Sequence, residues 1–190
     1  MRLVLATRNA HKAREFAELL PGHEVLRLPD DVVLPPETGA TFAENALGKA
    51  RAAAAATGSA AIADDSGICV AALDGAPGVH SARWAGADAT DADNLRKLLD
   101  QAPYGADLEY VCVIALVDPA TGEERTFEGR CAGVLSGDPR GTGGFGYDPA
   151  FVPSGDHTGR TMAELTPAEK DSISHRGRAA RSLLAGLATR

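Results

Sequence analysis

The densest chemistry in this chain is Ala63-Asp64-Asp65-Ser66-Gly67, where a short apolar run ends in two carboxylates, a hydroxyl and a glycine. The run from Ala60 predicts a buried strand, and Gly67 a sharp turn at its end. Such a strand delivers acids to the rim of a sheet, where α/β proteins hold their ligands. Neighbouring strand residues point to opposite faces, so Asp64 and Asp65 should do different jobs. One faces a metal or a water while the other orients its surroundings. Taken alone, the segment is also a polar turn of ordinary composition.

Further segments carry comparable chemistry. Thr7-Arg8-Asn9-Ala10-His11-Lys12 links a strand to a helix start, where free backbone N–H groups and the helix dipole favour phosphate. Thr7 and Asn9 add donors there, and Arg8 and Lys12 add positive charge. The spacing is not that of a Walker A loop. Asn45 and Lys49 lie four apart and share a helix face. Glu37, on the preceding loop, reaches Asp65 if the two segments meet. Carboxylates gathered at one point suit Mg²⁺, which takes oxygen ligands and retains waters.

The segment Gly141 to Pro149 concentrates glycine around Phe145 and Tyr147. Its backbone can approach a ligand closely, the rings offer flat faces to a base, and Asp148 accepts hydrogen bonds from a ring. Lys170, His175 and Arg176 lie near a helix start and can donate to a purine carbonyl or a phosphate. Each segment has a plainer reading: a capped helix, a solvated loop acid, a flexible hairpin turn, a basic helix face. No clustered Cys/His zinc pattern and no Gly-x-Ser-x-Gly elbow occurs.

Composition narrows the classes. The chain has 190 residues, enough for one domain or one domain with two lobes, with 44% hydrophobic and 24% charged residues. A net charge of −7 argues against non-specific nucleic-acid binding, which needs surplus Lys and Arg. A small polyphosphate is still open to a local basic pocket. Cys69, Cys112 and Cys131 are widely spaced and odd in number, so free thiols in a reducing compartment are expected. No apolar run approaches the ~18 residues of a membrane span. Met1 to Ala6 is too short for a signal peptide and predicts a strand, so a cytoplasmic protein without a membrane partner is expected.

The elements that must position these residues follow from period and punctuation. A strand at Leu3–Ala6 precedes a helix carrying Phe16, Leu19 and Leu20, stopped by Pro21-Gly22. A strand near 24–28 and a proline-rich connection lead to Thr41-x-x-Glu44, a capping box opening a helix that ends at Gly58. A second short strand is expected at Ile68–Ala71, then a loop region over 74–90 and a helix capped by Thr90 or Asp91. Tyr110 to Val117 predicts a central strand, with an antiparallel partner from Thr126 to Leu135. Thr166-Pro167 opens a helix, and a last helix turns Leu183, Leu184 and Leu187 inward. Alternation early and a hairpin late indicate an α/β fold with a mixed sheet flanked by helices.

In order, several segments jointly resemble one family across nearly the whole chain. They are Thr7-x-Asn9-x-x-Lys12, Glu37-Thr38-Gly39, Glu44-Asn45-Ala46-x-x-Lys49-Ala50, Ala63-Asp64-Asp65-Ser66-Gly67, Gly75-Ala76-Pro77-Gly78, Gly143-Gly144-Phe145-Gly146-Tyr147-Asp148-Pro149 and Ser174-His175-Arg176. The family is the XTP/dITP diphosphatases, also called inosine triphosphate pyrophosphatases. The resemblance implies an elongated fold of two lobes with an active-site cleft between them, and a homodimer. It also implies Mg²⁺-dependent cleavage of non-canonical purine nucleoside triphosphates (dITP, ITP, XTP) to the monophosphate and pyrophosphate.

By position, the resemblance gives Thr7, Arg8, Asn9, Ala10, His11, Lys12 and Lys49 to the phosphates, and Glu37 and Asp65 to the metal. Asp65 would also accept the proton, Ser66 would touch substrate, and Phe145, Gly146, Tyr147, Asp148, Lys170, His175 and Arg176 would frame the base. Lys170, Arg176 or backbone N–H groups would pair with the carbonyl at the purine six-position and disfavour the amino group of adenine. Arg8 stands where the family often has glycine, and Pro36 where many members have another acid. A pyrophosphatase for other modified nucleotides, or a non-catalytic nucleotide-binding module, are the alternatives.

Overall fold

In the computed structural model, which describes residues 1–189, six strands form one mixed sheet. They are β1 (Arg2–Leu5), β2 (Glu24–Arg27), β3 (Ala61–Val70), β4 (Asp107–Asp118), β5 (Glu123–Leu135) and β6 (Phe151–Pro153), in the order β2-β1-β3-β4-β5-β6. The helices are α1 (Ala10–Leu19), α2 (Phe42–Thr57), α3 (Asp91–Gln101), α4 (Pro167–Ile173) and α5 (His175–Ala188). β1 pairs in parallel with both β2 and β3, the first crossover carrying α1 and the second α2. β4 and β5 are neighbours joined by a tight turn, which only an antiparallel pair allows. β6 returns antiparallel to β5, with Leu135 opposite Phe151.

β3 corrects the sequence-based expectation. Gly67 does not end a strand: Ala61 through Val70 is continuous, and the separate strand expected at Ile68–Ala71 is its second half. The acids therefore lie within a strand rather than at its tip. Burial explains how the strand tolerates them. Asp64 and Asp65 are both enclosed, and lysine and asparagine side chains from α1 and α2 meet them there.

The chain divides into two compact units: residues 1–65, 112–129 and 179–190, and residues 66–111 and 130–178. The first unit has two apolar clusters. One gathers Leu3, Leu5, Phe16, Ile62, Ile114 and Leu183; the other is built largely of alanine, with Ala46, Ala50, Ala53 and Ala54 of α2 packed with Val4, Ala61, Ala63 and Ala115. The second unit packs Ile68, Leu98, Leu108, Tyr110, Phe151 and Met162 into one cluster.

α2 has the start and stop its sequence predicts. Thr41 accepts from the Glu44 N–H, Glu44 returns the bond to the Thr41 backbone, and Gly58 ends the helix. Such a cap is worth about 1 kcal/mol. Its alanine face has a functional consequence. Small side chains on both surfaces let the helix lie close to β1 and β3, so the short side chain of Asn45 can span to β3. The same capping logic opens α3 at Thr90 and α4 at Thr166.

Candidate active site

In the first unit, β3, α1, α2 and the loop before α2 converge on a set of opposite charges. Lys12 on α1 places Nζ 2.9 Å from Asp64 Oδ2. Lys49 on α2 donates to the Asp64 carbonyl at 2.7 Å and pairs with the Glu37 carboxylate. Asn45, one turn before Lys49, donates its amide N–H to Asp65 Oδ2 at 2.9 Å. Its amide oxygen accepts from the Gly39 N–H at 2.8 Å, tying the Glu37 loop to the residue that holds Asp65. A side chain at Gly39 would run into that oxygen and the Glu44 Cβ.

The electrostatics follow from burial and charge. Burial pushes the Asp65 carboxyl above its ordinary value, and nearby Glu37 adds to this; Lys49, the Asn45 hydrogen bond and Lys12 oppose the rise without cancelling it. Burial works to lower Lys49, but Asp64, Glu37 and Asp65 outweigh it and its ammonium is held more firmly than usual. Asp64 and Asp65 do take different partners, as alternation along a strand requires.

The donor chemistry fits a hard divalent cation. Glu37 and Asp65 offer carboxylate oxygens, the hard ligands such a cation prefers. Among the described residues no group of three or more His, Cys, Asp or Glu forms a ready cage. Two carboxylates suit Mg²⁺, which keeps waters and takes further oxygens from a phosphate.

The turn before α1 is organised as a cap. Asn9 Oδ1 accepts from the N–H groups of His11 and Lys12, and Thr7 Oγ1 accepts from the Asn9 N–H. Ala10 is the first residue of α1, and exposed His11 has its Nδ1 2.9 Å from Arg14. Arg8, expected on the phosphates, turns its side chain to the connection after β2. Its guanidinium donates to the carbonyls of Leu28, Pro29, Asp30 and Val32, at 2.7 to 3.3 Å. A planar fork with five N–H donors matches a turn of converging carbonyls, and the connection after β2 provides one.

In the second unit, the expected base-framing residues gather around one buried carboxylate. Asp148 Oδ2 accepts from Lys170 Nζ at 2.9 Å and from the Phe145 N–H at 3.0 Å; Oδ1 accepts from the Tyr110 hydroxyl at 3.0 Å. Gly144 has a positive φ of 69°, and a side chain there would collide with the Asp148 carboxylate. The Lys170 ammonium and Arg176 guanidinium lie over the Phe145 ring, 5.2 and 5.7 Å from its centroid. Arg176 also donates to Ser66 Oγ at 2.9 Å. His175 stacks on Tyr110 with centroids 4.5 Å apart. Gly146 donates its N–H to Asp91.

Tyr147, expected to offer a flat face, is buried, and its hydroxyl donates to the Ser81 carbonyl at 2.7 Å. The sequence places Asn45 on a helix face with Lys49 but gives it no role; Tyr110, in an apolar run, gives no sign of belonging to the site.

The profile of the Ham1 family matches residues 3–186. The chain belongs to the Ham1 family. A dITP/XTP pyrophosphatase of Streptomyces coelicolor is 50% identical, covering 96% of this chain and 95% of that protein. One from Symbiobacterium thermophilum is 53% identical, covering 94% and 90%. Solved Ham1 structures agree in fold: the HAM1 protein from Coxiella burnetii superposes with a TM-score of 0.89 at 41% identity over the whole of both chains. A nucleoside-triphosphatase / dITP/XTP pyrophosphatase from Mycobacterium abscessus gives 0.76 at 48% identity, covering 97% of this chain and 99% of that one.

Proposed function

We propose that this chain hydrolyses dITP, XTP and ITP to the nucleoside monophosphate and pyrophosphate with Mg²⁺, clearing non-canonical purine nucleotides from the pool. One observation carries the reading: Glu37, Asp64 and Asp65 stand with Lys12 and Lys49 in a set that can meet both a cation and phosphates. The curated relatives, named dITP/XTP pyrophosphatases, supply the substrate class.

Lys12 and Lys49 bind phosphate oxygens, steadied meanwhile by Asp64 and Glu37. A water attacks the α-phosphorus and the Asp65 carboxylate takes its proton. Burial has raised that carboxyl, which makes it a better base near neutral pH than an exposed aspartate. Asn45 fixes its orientation. Glu37 and Asp65 would hold Mg²⁺, which when bound neutralises phosphate charge and stabilises pyrophosphate as it leaves.

The base is read in the second unit, where Lys170 and Arg176 donate to the six-carbonyl of hypoxanthine or xanthine. The adenine amino group leaves those donors unmatched, a mismatch that discriminates strongly in an enclosed site. No helix among the described residues is long and apolar enough to cross a membrane. In this reading the protein works in the cytoplasm as a homodimer, and a single-chain mass by light scattering would remove the dimer from it.

The deciding experiment is pyrophosphate release from dITP, XTP, ITP, dATP, dGTP and dTTP, each with and without EDTA. EDTA-sensitive release favouring the first three is expected. Tight binding of any of them without release would turn the reading toward a nucleotide-binding module.

A further inference from the structure

We infer that Tyr110, a buried strand residue, is a positioning residue for base selection: its hydroxyl orients Asp148, and through Asp148 the donor Lys170, while its ring seats His175. The inference rests on the base-reading role proposed above for the second unit.

Three observations lead to it. The hydroxyl donates to Asp148 Oδ1, the carboxylate oxygen opposite the one that takes Lys170 Nζ and the Phe145 N–H. The two oxygens are thereby held by different partners, and rotation of the carboxylate would break both sets at once. The ring is one layer of a stack, with Phe151 4.4 Å away and His175 4.5 Å away at an interplanar angle of 15°. The residue stands on β4, a rigid support with little freedom to follow a misplaced ligand.

Chemistry fixes the direction of the bond. An ionised carboxylate only accepts, so the phenol must donate. Burial and the neighbouring Asp148 charge hold the phenol far above its ordinary value, so it remains a donor throughout the working pH range. Lys170 Nζ has three N–H groups, one of them directed at Asp148. The direction of the others depends on where that carboxylate stands. A purine with a carbonyl at the six-position profits from a fixed donor; one with an amino group gains nothing from it.

Tyr110→Phe removes the hydroxyl and keeps the ring stack. The expected result is a kcat/KM for dITP about tenfold lower, chiefly through KM, with dATP almost unchanged, so the dITP/dATP ratio falls about tenfold. This is the scale of one hydrogen bond to a charged group. A merely structural role would lower both substrates together through loss of folded protein, so the ratio separates the two. Lys170→Met serves as the control for the base-reading role itself.

If Lys170→Met abolishes discrimination and Tyr110→Phe leaves the ratio within twofold, the inference on Tyr110 is overturned and the base reading stands. An unchanged ratio in both variants removes the base reading, and the inference with it. A second measurement uses the unaltered protein, in case the variant does not fold. With tyrosine rings labelled with ¹³C, three residues contribute signals. The Tyr110 signal should shift on adding dIMP and stay in place with dAMP; no shift with dIMP overturns the inference.

Discussion

Asp65 in the first unit and Asp148 in the second are both aspartates with about 5% exposure or less, both near a lysine, yet they are equipped differently. Asp148 receives a phenol, an ammonium and a backbone N–H. Its neighbourhood holds two cations, Lys170 and Arg176, around one acid. Around Asp65 the balance is reversed, with three carboxylates (Glu37, Asp64, Asp65) against the ammonium groups of Lys12 and Lys49. Burial alone therefore does not set an aspartate's job; the ratio of donors to acids around it does. The acid-rich set has more carboxylates than ammonium groups and suits a metal that arrives with phosphates. The donor-rich set has more donors than acids and suits a neutral ring bearing a carbonyl.

Metal removal should break this comparison most sharply. EDTA is expected to reduce pyrophosphate release from dITP to the blank and added Mg²⁺ to restore it; undiminished release in EDTA would leave the acid-rich set without its reason. Next in size is Asp65→Asn, expected to lower kcat by ~10²-fold or more with the fold intact by circular dichroism. Near-normal turnover would move the proton acceptor elsewhere. Gly39→Ala should follow at roughly tenfold, because the added carbon displaces Asn45 and with it Asp65. Steady-state kinetics on dITP and on dATP should fall in parallel, since this change touches chemistry and not the base.

Arg8→Ala sharpens the assignment in the first unit. If Arg8 only braces residues 28–32, KM for dITP should change by about twofold or less, with lost protection of those amides in hydrogen exchange. A tenfold rise in KM would assign Arg8 to the phosphates.

The smallest effect concerns stability. The folded-state pKa of Asp65 lies above its unfolded value near 3.8, so between the two the folded protein binds more protons and stability falls as pH rises. The penalty is absent at lower pH and complete above the raised value. Asp65→Asn, inactive, should therefore melt higher than the unaltered protein at pH 7, by roughly 2–4 °C for each 1 kcal/mol relieved. The gap should close toward pH 4 in calorimetric scans of the metal-free proteins.

The elements were legible where their signals are local. Thr41-x-x-Glu44 and Gly58 bound α2, and Thr166-Pro167 opens α4, because caps act within a turn of the residues that encode them. What the sequence hid depends on partners far along the chain. Gly67 looks like a turn until Asp64 and Asp65 are matched by Lys12, Asn45 and Lys49, which let the strand run on. Arg8 shows no sign in sequence of the carbonyls of 28–32 that meet it. Tyr110 is one apolar letter among eight, and only its hydroxyl bond to a residue 38 positions later gives it a role. The motif residues were recognisable as a set and two lobes were expected; which residue falls in which unit was not given.

That division has a genetic consequence. The boundary falls between Asp65 and Ser66, between Val111 and Cys112 and between Gly129 and Arg130, each inside a strand, and between Arg178 and Ala179 inside α5. Neither unit is therefore an uninterrupted stretch of gene. No single crossover can exchange one unit for a homologue's and leave the other whole; even the continuous stretch 130–178, which carries Phe145, Asp148, Lys170 and Arg176, needs two.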